Sequence, residues 1–175
     1  MTEFTVPFAS ADYFILLAVV VFSRAADFIS TWIGTPNLEL EANPLSRRLG
    51  WRGGVITHAV LALIVAMYPL PAIVLSTTSV LVAAHNFQSA WLMRALGEAR
   101  YSLMVAEQMS QASWSLYVFC LFAQNLLIGG VGAAVMLFSG GREPVLAIGL
   151  GIVGYALVVV FYTLLSVWHG RRFMR

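Results

Sequence analysis

Apolar residues run along this chain in stretches too continuous for an ordinary soluble helix, and its polar positions collect mainly between them. A helix needs about 20 apolar residues to cross about 30 Å of hydrocarbon. Five stretches bounded by charges, glycine or proline approach that length: 13–34, 53–68, 71–94, 113–138 and 145–168. Gly34-Thr35-Pro36 stops the first, and Pro69-Leu70-Pro71 separates the second from the third, because proline lacks an amide hydrogen and clashes with the preceding turn. The second stretch, about 16 residues, covers only about 24 Å. It therefore either stands nearly upright or runs through the prolines to a break at Ser76-Thr77-Thr78-Ser79.

Composition turns this pattern into a class. The chain is 60% hydrophobic and 10% charged, with a mean hydropathy of +0.84, where soluble domains average about 45–50% and about 25%. A soluble globule of 175 residues could not bury so much apolar surface, so a cytosolic domain, a disordered chain and a nucleic-acid binder are all disfavoured. The expected fold is all-α: a polytopic membrane helix bundle forming one transmembrane domain over residues 1–175. Cys120 is the single cysteine, which excludes an intrachain disulfide or a cysteine-based zinc site.

All ten basic residues are arginines, and their placement predicts orientation. Arg47, Arg48 and Arg52 follow the first stretch, Arg94 and Arg100 the third, and Arg171, Arg172 and Arg175 the fifth, whereas Arg142 stands at the opposite side. Short cytoplasmic loops collect positive charge, so the N-terminus is expected outside and the C-terminus in the cytoplasm of a bacterial or archaeal plasma membrane. Before the first stretch there is Glu3 and no basic residue, which predicts a retained anchor rather than a cleaved signal.

The last two stretches are rich in small residues: Gly129, Gly130, Gly132, Ala133 and Ala134, then Ala147, Gly149, Gly151 and Gly154. Small residues let helix backbones approach closely, so these stretches are expected to pack on each other, on membrane-protein partners or on another copy of the chain. Gly149-Leu150-Gly151-Ile152-Val153-Gly154 matches a dinucleotide-binding fingerprint, but it lies inside a span and not after a strand. We read it as packing. No internal repeat is visible, which disfavours transporter folds built from paired halves.

Ionisable groups inside hydrocarbon are costly, by about 2.5–3.5 kcal/mol each, and therefore mark candidate sites. Arg24 and Asp27 are three residues apart on one helical face, with Thr31 four further on. They form either a structural ion pair or a working carboxylate tuned by its arginine. His85 and Asn86 in the third stretch fall at a depth similar to Asp27, and Gln88 and Ser89 follow. His58 enters the second stretch from the same side, and His169 closes the fifth there. The fourth begins with Gln108, Gln111, Ser113 and Ser115 and carries Gln124-Asn125 near mid-membrane. Most polar side chains thus gather in the cytoplasmic half.

The segment after the first stretch is the most informative. Leu38, Leu40 and Ala42 alternate with Glu39 and Glu41, which suggests an extended, docked segment, and Asn43-Pro44 favours a turn opening a short amphipathic helix with Leu45, Leu49 and Trp51. Docked, the segment brings Glu41 and Asn43 under Asp27. Solvated, it is an ordinary acidic loop.

The combination of Asp27, Thr31, Glu41-Ala42-Asn43-Pro44-Leu45 and Asn86 resembles a family of small bacterial and archaeal multi-pass membrane proteins of unknown function that carry an E-A-N-P signature. The resemblance covers roughly the first 95 residues. It implies a shared polar site, with a basic residue in the second helix for which His58 is the nearest candidate, and it lends no activity.

Three functions follow from these residues. The first is an accessory or structural membrane subunit, not an enzyme, whose polar residues form a cytoplasm-facing pocket and hold helices together. The second is a metal- or cofactor-binding membrane enzyme, with Asp27, Glu41, His58 and His85 as a ligand set and hydrolysis near the cytoplasmic surface as its reaction, or with a pigment or haem on His85 beside Trp91. The third is proton or ion conduction, with Asp27 and His85 as a relay. Serine and cysteine nucleophiles are disfavoured, since no GxSxG occurs and Cys120 has no base near it in sequence.

Overall fold

A computed structural model describes residues 5–41 and 43–173, with side chains described as far as Leu165. Six helices make up the described chain, with no strand among them: α1 Ala11–Gly34, α2 Pro44–Val65, α3 Pro69–Leu96, α4 Glu98–Gln111, α5 Trp114–Leu137 and α6 Glu143–Phe173. Five are long and apolar enough to cross a membrane, namely α1, α2, α3, α5 and the Glu143–Leu165 part of α6. The chain has the all-α, multi-span architecture of an integral membrane protein.

Two boundaries differ from expectation. The second span starts early, at Pro44, with Asn43 as its cap: the Asn43 side chain accepts from the Leu45 N–H at 3.0 Å. The expected amphipathic turn at Asn43-Pro44 is thereby the first segment of α2 itself. Gly50, at φ 61° and ψ −175°, kinks the helix just before Trp51, in a conformation that disfavours any residue with a Cβ. As Pro69-Leu70-Pro71 predicts, α3 begins at Pro69, where the missing amide is harmless in the first turn. Ser76 to Ser79 lie inside α3 and do not interrupt it. The second difference is α4, a separate amphipathic helix that carries Gln108 and Gln111, which were expected to open the fourth span.

The helices pack in the order α2, α1, α3, α6, α5. α1 lies along α3, α3 along α6 and α6 along α5, whereas α2 touches α1 and α3 more lightly, and α4 rests on α3. Small residues make the contacts. Ala72, Ser76, Ser79, Ala83 and Ala90 of α3 repeat at four and three or at seven residues, and so line one face. That face lies along α1, with Ala72 in the same cluster as Val20 and Ala90 against Gly34. Val20, Ala62 and Ala72 form a small core where α1, α2 and α3 converge.

On its other side, α3 meets the glycines of α6. Thr78 Oγ1 donates to the Gly151 carbonyl at 3.0 Å, and a Cβ on Gly151 would lie 2.6 Å from that of Thr77. α5 and α6 cross where a Cβ on Gly132 would stand 2.8 Å from the Gly149 carbonyl oxygen. Gly132, Gly149 and Gly151 are therefore used in contacts within the chain. The large apolar residues point outward, with Phe22, Leu126, Leu127, Leu137 and Phe161 among those exposed, as lipid-facing positions require.

Candidate functional site

The site is built around Arg24, near the middle of α1. Its Nη1 donates to Ser79 Oγ of α3 at 2.9 Å and pairs with Asp27 Oδ2 at the same distance, one turn along α1. Nη2 lies 3.0 Å from His58 Nε2 of α2. One guanidinium thus ties three helices together. The Arg24 and Asp27 side chains are each 17% exposed, so the pair is only slightly solvated. Buried ion pairs of this kind are costly to break from one side, since the partner is left charged and alone.

Aromatic packing fixes the histidine. Phe28 meets the His58 ring edge-on at 5.1 Å between centroids and lies 6.1 Å from the Trp51 ring, whose Nε1 donates to the Pro36 carbonyl at 2.9 Å. Gly54 is buried beneath Phe28, and a Cβ there would stand 3.3 Å from the ring. Arg24 Nε and His58 Nδ1 are buried with no hydrogen-bond partner among the described residues.

Beyond Asp27 the cluster continues into the loop. Glu41 lies close enough to Asp27 for the two carboxylates to repel, and Arg47 of α2 stands near Glu41 with opposite charge. Burial pushes the Glu41 carboxyl above its ordinary range, while the Asn43 N–H, donating at 2.8 Å, and Arg47 pull it back. The docked arrangement of the loop is the one observed for Glu41. Asn43 serves instead as a helix cap, and Ala42 lies outside the described residues.

Asn86 and His85 separate. Asn86 Nδ2 donates to Ser30 Oγ at 3.3 Å and to Thr31 Oγ1 at 3.4 Å, facing α1, and it sits seven residues from Ser79 on the same side of α3. His85 is one residue earlier, about 100° around the helix. Its exposed ring meets Tyr155 of α6 at 6.4 Å. Equal depth did not join His85 to Asp27: among the described residues no hydrogen bond links them, and the His85 ring turns to α6 instead. The ligand set of Asp27, Glu41, His58 and His85 also fails to converge: among the described residues no three His, Cys, Asp or Glu side chains are grouped to hold a metal ion. Arg24 already occupies His58 Nε2, and His85 faces another helix.

Sequence reasoning missed Glu98. This residue opens α4 and is 7% exposed. Thr35 Oγ1 donates to its Oε2, the Asn37 N–H donates to Oε1 at 2.8 Å and the Glu39 N–H to Oε2 at 2.8 Å. The Leu40 N–H completes the ring by donating to Thr35 Oγ1 at 3.1 Å. The loop after α1 therefore curls around a carboxylate and is not extended. Leu38 sits at φ 58°, which turns neighbouring N–H groups inward into an anion-binding nest. Burial raises the proton affinity of Glu98, but these hydrogen bonds outweigh it and hold the carboxyl below its ordinary range. Gly97 beside it, at φ 79°, makes the sharp turn from α3 into α4. A carboxylate directly after a glycine C-cap was the available signal.

Arg47, Arg48, Arg52, Arg94 and Arg100 all fall at the loop end of the bundle, with Arg94 stacked 5.7 Å over the Trp32 ring. Arg142 falls at the other end. Arg175 and the side chains of His169, Arg171 and Arg172 lie outside the described residues. Comparison with protein-family models, with curated proteins and with solved structures finds no match to this chain.

Proposed function

We propose that the protein is an accessory or structural subunit of a prokaryotic plasma membrane, with its N-terminus outside and its polar cluster facing the cytoplasm. The observation that carries this reading is the single guanidinium of Arg24 joined to α1, α2 and α3 at once. Its contacts leave Asp27 paired and His58 occupied, so neither is a free base. The arginines at the loop end support the orientation. Replacing Asp27 by Asn or His58 by Ala is expected to lower the thermal midpoint and the yield of correctly sized particles together. A variant of native size and midpoint that loses a defined turnover or flux would contradict a structural role.

One observation favours a second reading, proton binding. Glu41, in the loop after α1, lies close enough to Asp27 for the two carboxylates to repel, and a proton taken up by the pair would relieve that repulsion. Proteoliposomes containing a pH-sensitive dye test this reading. Uptake above that of empty vesicles that disappears in E41Q would favour it over the purely structural role.

A further inference from the structure

The outer face of α5 carries a polar residue where lipid is expected. Gln124 is the eleventh of the 24 residues of α5, about 15 Å along a helix of about 36 Å, which is mid-membrane. It is exposed and makes no hydrogen bond among the described residues. Its neighbour Asn125 is buried, with Nδ2 donating to the Leu121 carbonyl at 2.8 Å. A glutamine side chain is too short to reach either interface from that depth. In hydrocarbon an unpaired amide is costly, because no water replaces the missing partners.

Gln124 is also the centre of a regular seam. Tyr117, Cys120, Gln124, Leu127, Val131 and Ala134 follow one another at three, four, three, four and three residues, the spacing of a left-handed helix pair. Cys120, Leu127 and Val131 are exposed, and no charged residue falls on the seam. The glycines of α5 that contact α6, Gly129 and Gly132, lie on a different face. The α5 seam is therefore free while the glycine surface is used.

We propose that this seam is the interface for a second copy of the same chain, with the two Gln124 amides hydrogen-bonded across a twofold axis along the membrane normal. Two features select a copy over an unrelated partner. The amide is self-complementary, carrying both donor and acceptor, so an isologous pair satisfies both sides reciprocally. Two copies inserted with the same topology also place Gln124 at identical depth without adjustment. A foreign helix would need its own polar group there.

The single cysteine makes the test direct, because Cys120 lies one turn from Gln124 on the same seam. Oxidative cross-linking of the wild-type protein in native membranes should give a disulfide-linked dimer. In a Cys120→Ser background, Val131→Cys on the seam should restore the dimer, whereas Leu126→Cys, 77% exposed but off the seam, should not. Gln124→Leu should fold normally, since it puts an apolar side chain on a lipid-facing surface. It should weaken dimerisation, read as energy transfer between labelled chains on dilution in lipid, by about 3- to 30-fold. Equal cross-linking at Val131→Cys and Leu126→Cys would overturn the proposal. So would an unchanged dimer in Gln124→Leu, or cross-linking of Cys120 to a different protein only.

Discussion

Arg24 Nη2 lies 3.0 Å from His58 Nε2, and this contact determines the state of the histidine. A guanidinium only donates, so Nε2 accepts, the proton sits on Nδ1 and the ring is neutral. The contact therefore needs an acceptor and not a base. His58→Gln, which can present its amide oxygen, should retain most of the stability, whereas His58→Ala should lose about 1.5–3 kcal/mol. Denaturation of the purified variants in mixed micelles checks the order. Equal losses would show that the hydrogen bond is not what His58 supplies.

The crossing of α5 and α6 depends on missing side chains at particular positions. A Cβ at Gly149 would stand 2.5 Å from Met136 Cγ and 2.7 Å from the Gly132 carbonyl oxygen, while one at Gly130 would meet nothing within 4 Å. Gly149→Ala should therefore cost about 1–3 kcal/mol through overpacking. Gly130→Ala should be neutral or slightly stabilising. Thermal midpoints of the two variants in one detergent decide the comparison.

Glu98 holds the α1–α2 loop through a hydroxyl and two backbone amides. Glu98→Gln turns an amide donor toward groups that already donate, and about 2–3 kcal/mol of stability should be lost. Its folded-state proton affinity is lowered, so the unfolded chain takes up the proton first as pH falls. The stabilisation is complete above the ordinary glutamate value of 4.5 and disappears as pH drops through the lower folded value. Limited proteolysis of the loop against pH should show protection down to that range in wild type and none in the variant.

Glu41 has the opposite sign. Its folded value is raised, so protonation favours the folded form, and that advantage is lost as pH rises through the raised value. Glu41→Gln imitates the protonated state. The variant should exceed wild type in thermal midpoint at neutral pH, and the difference should shrink as pH falls toward 4.5. A difference independent of pH would place the effect elsewhere.

Four of the five spans were legible because their apolar runs exceed 20 residues; the second was short because its first turns, from Pro44, are polar. The pairing of Arg24 with Asp27 was legible too, since a separation of three residues puts both on one helical face. Partners on other helices were not. His85 and Asp27 share a depth, but depth does not report the direction in which a residue faces, and the ring of His85 turned to Tyr155. Ser79 could have been found from Asn86, seven residues away on the same face of α3. The curl of the Thr35 to Leu40 loop depended on Glu98, more than 50 residues further along the chain. The alternation of Leu38, Glu39 and Leu40 imitated an extended segment because local pattern carries no record of a distant carboxylate.

The most direct test of Arg24 as an interhelical brace compares one substitution with three. Arg24→Met leaves Asp27 charged without its partner and should cost about 3–5 kcal/mol of unfolding free energy, with loss of native particle size. Adding Asp27→Leu and His58→Leu removes every group the arginine served, and should restore most of that stability and the native size. If Arg24→Met is as stable as wild type, or the triple variant is no better than the single one, Arg24 is not a brace.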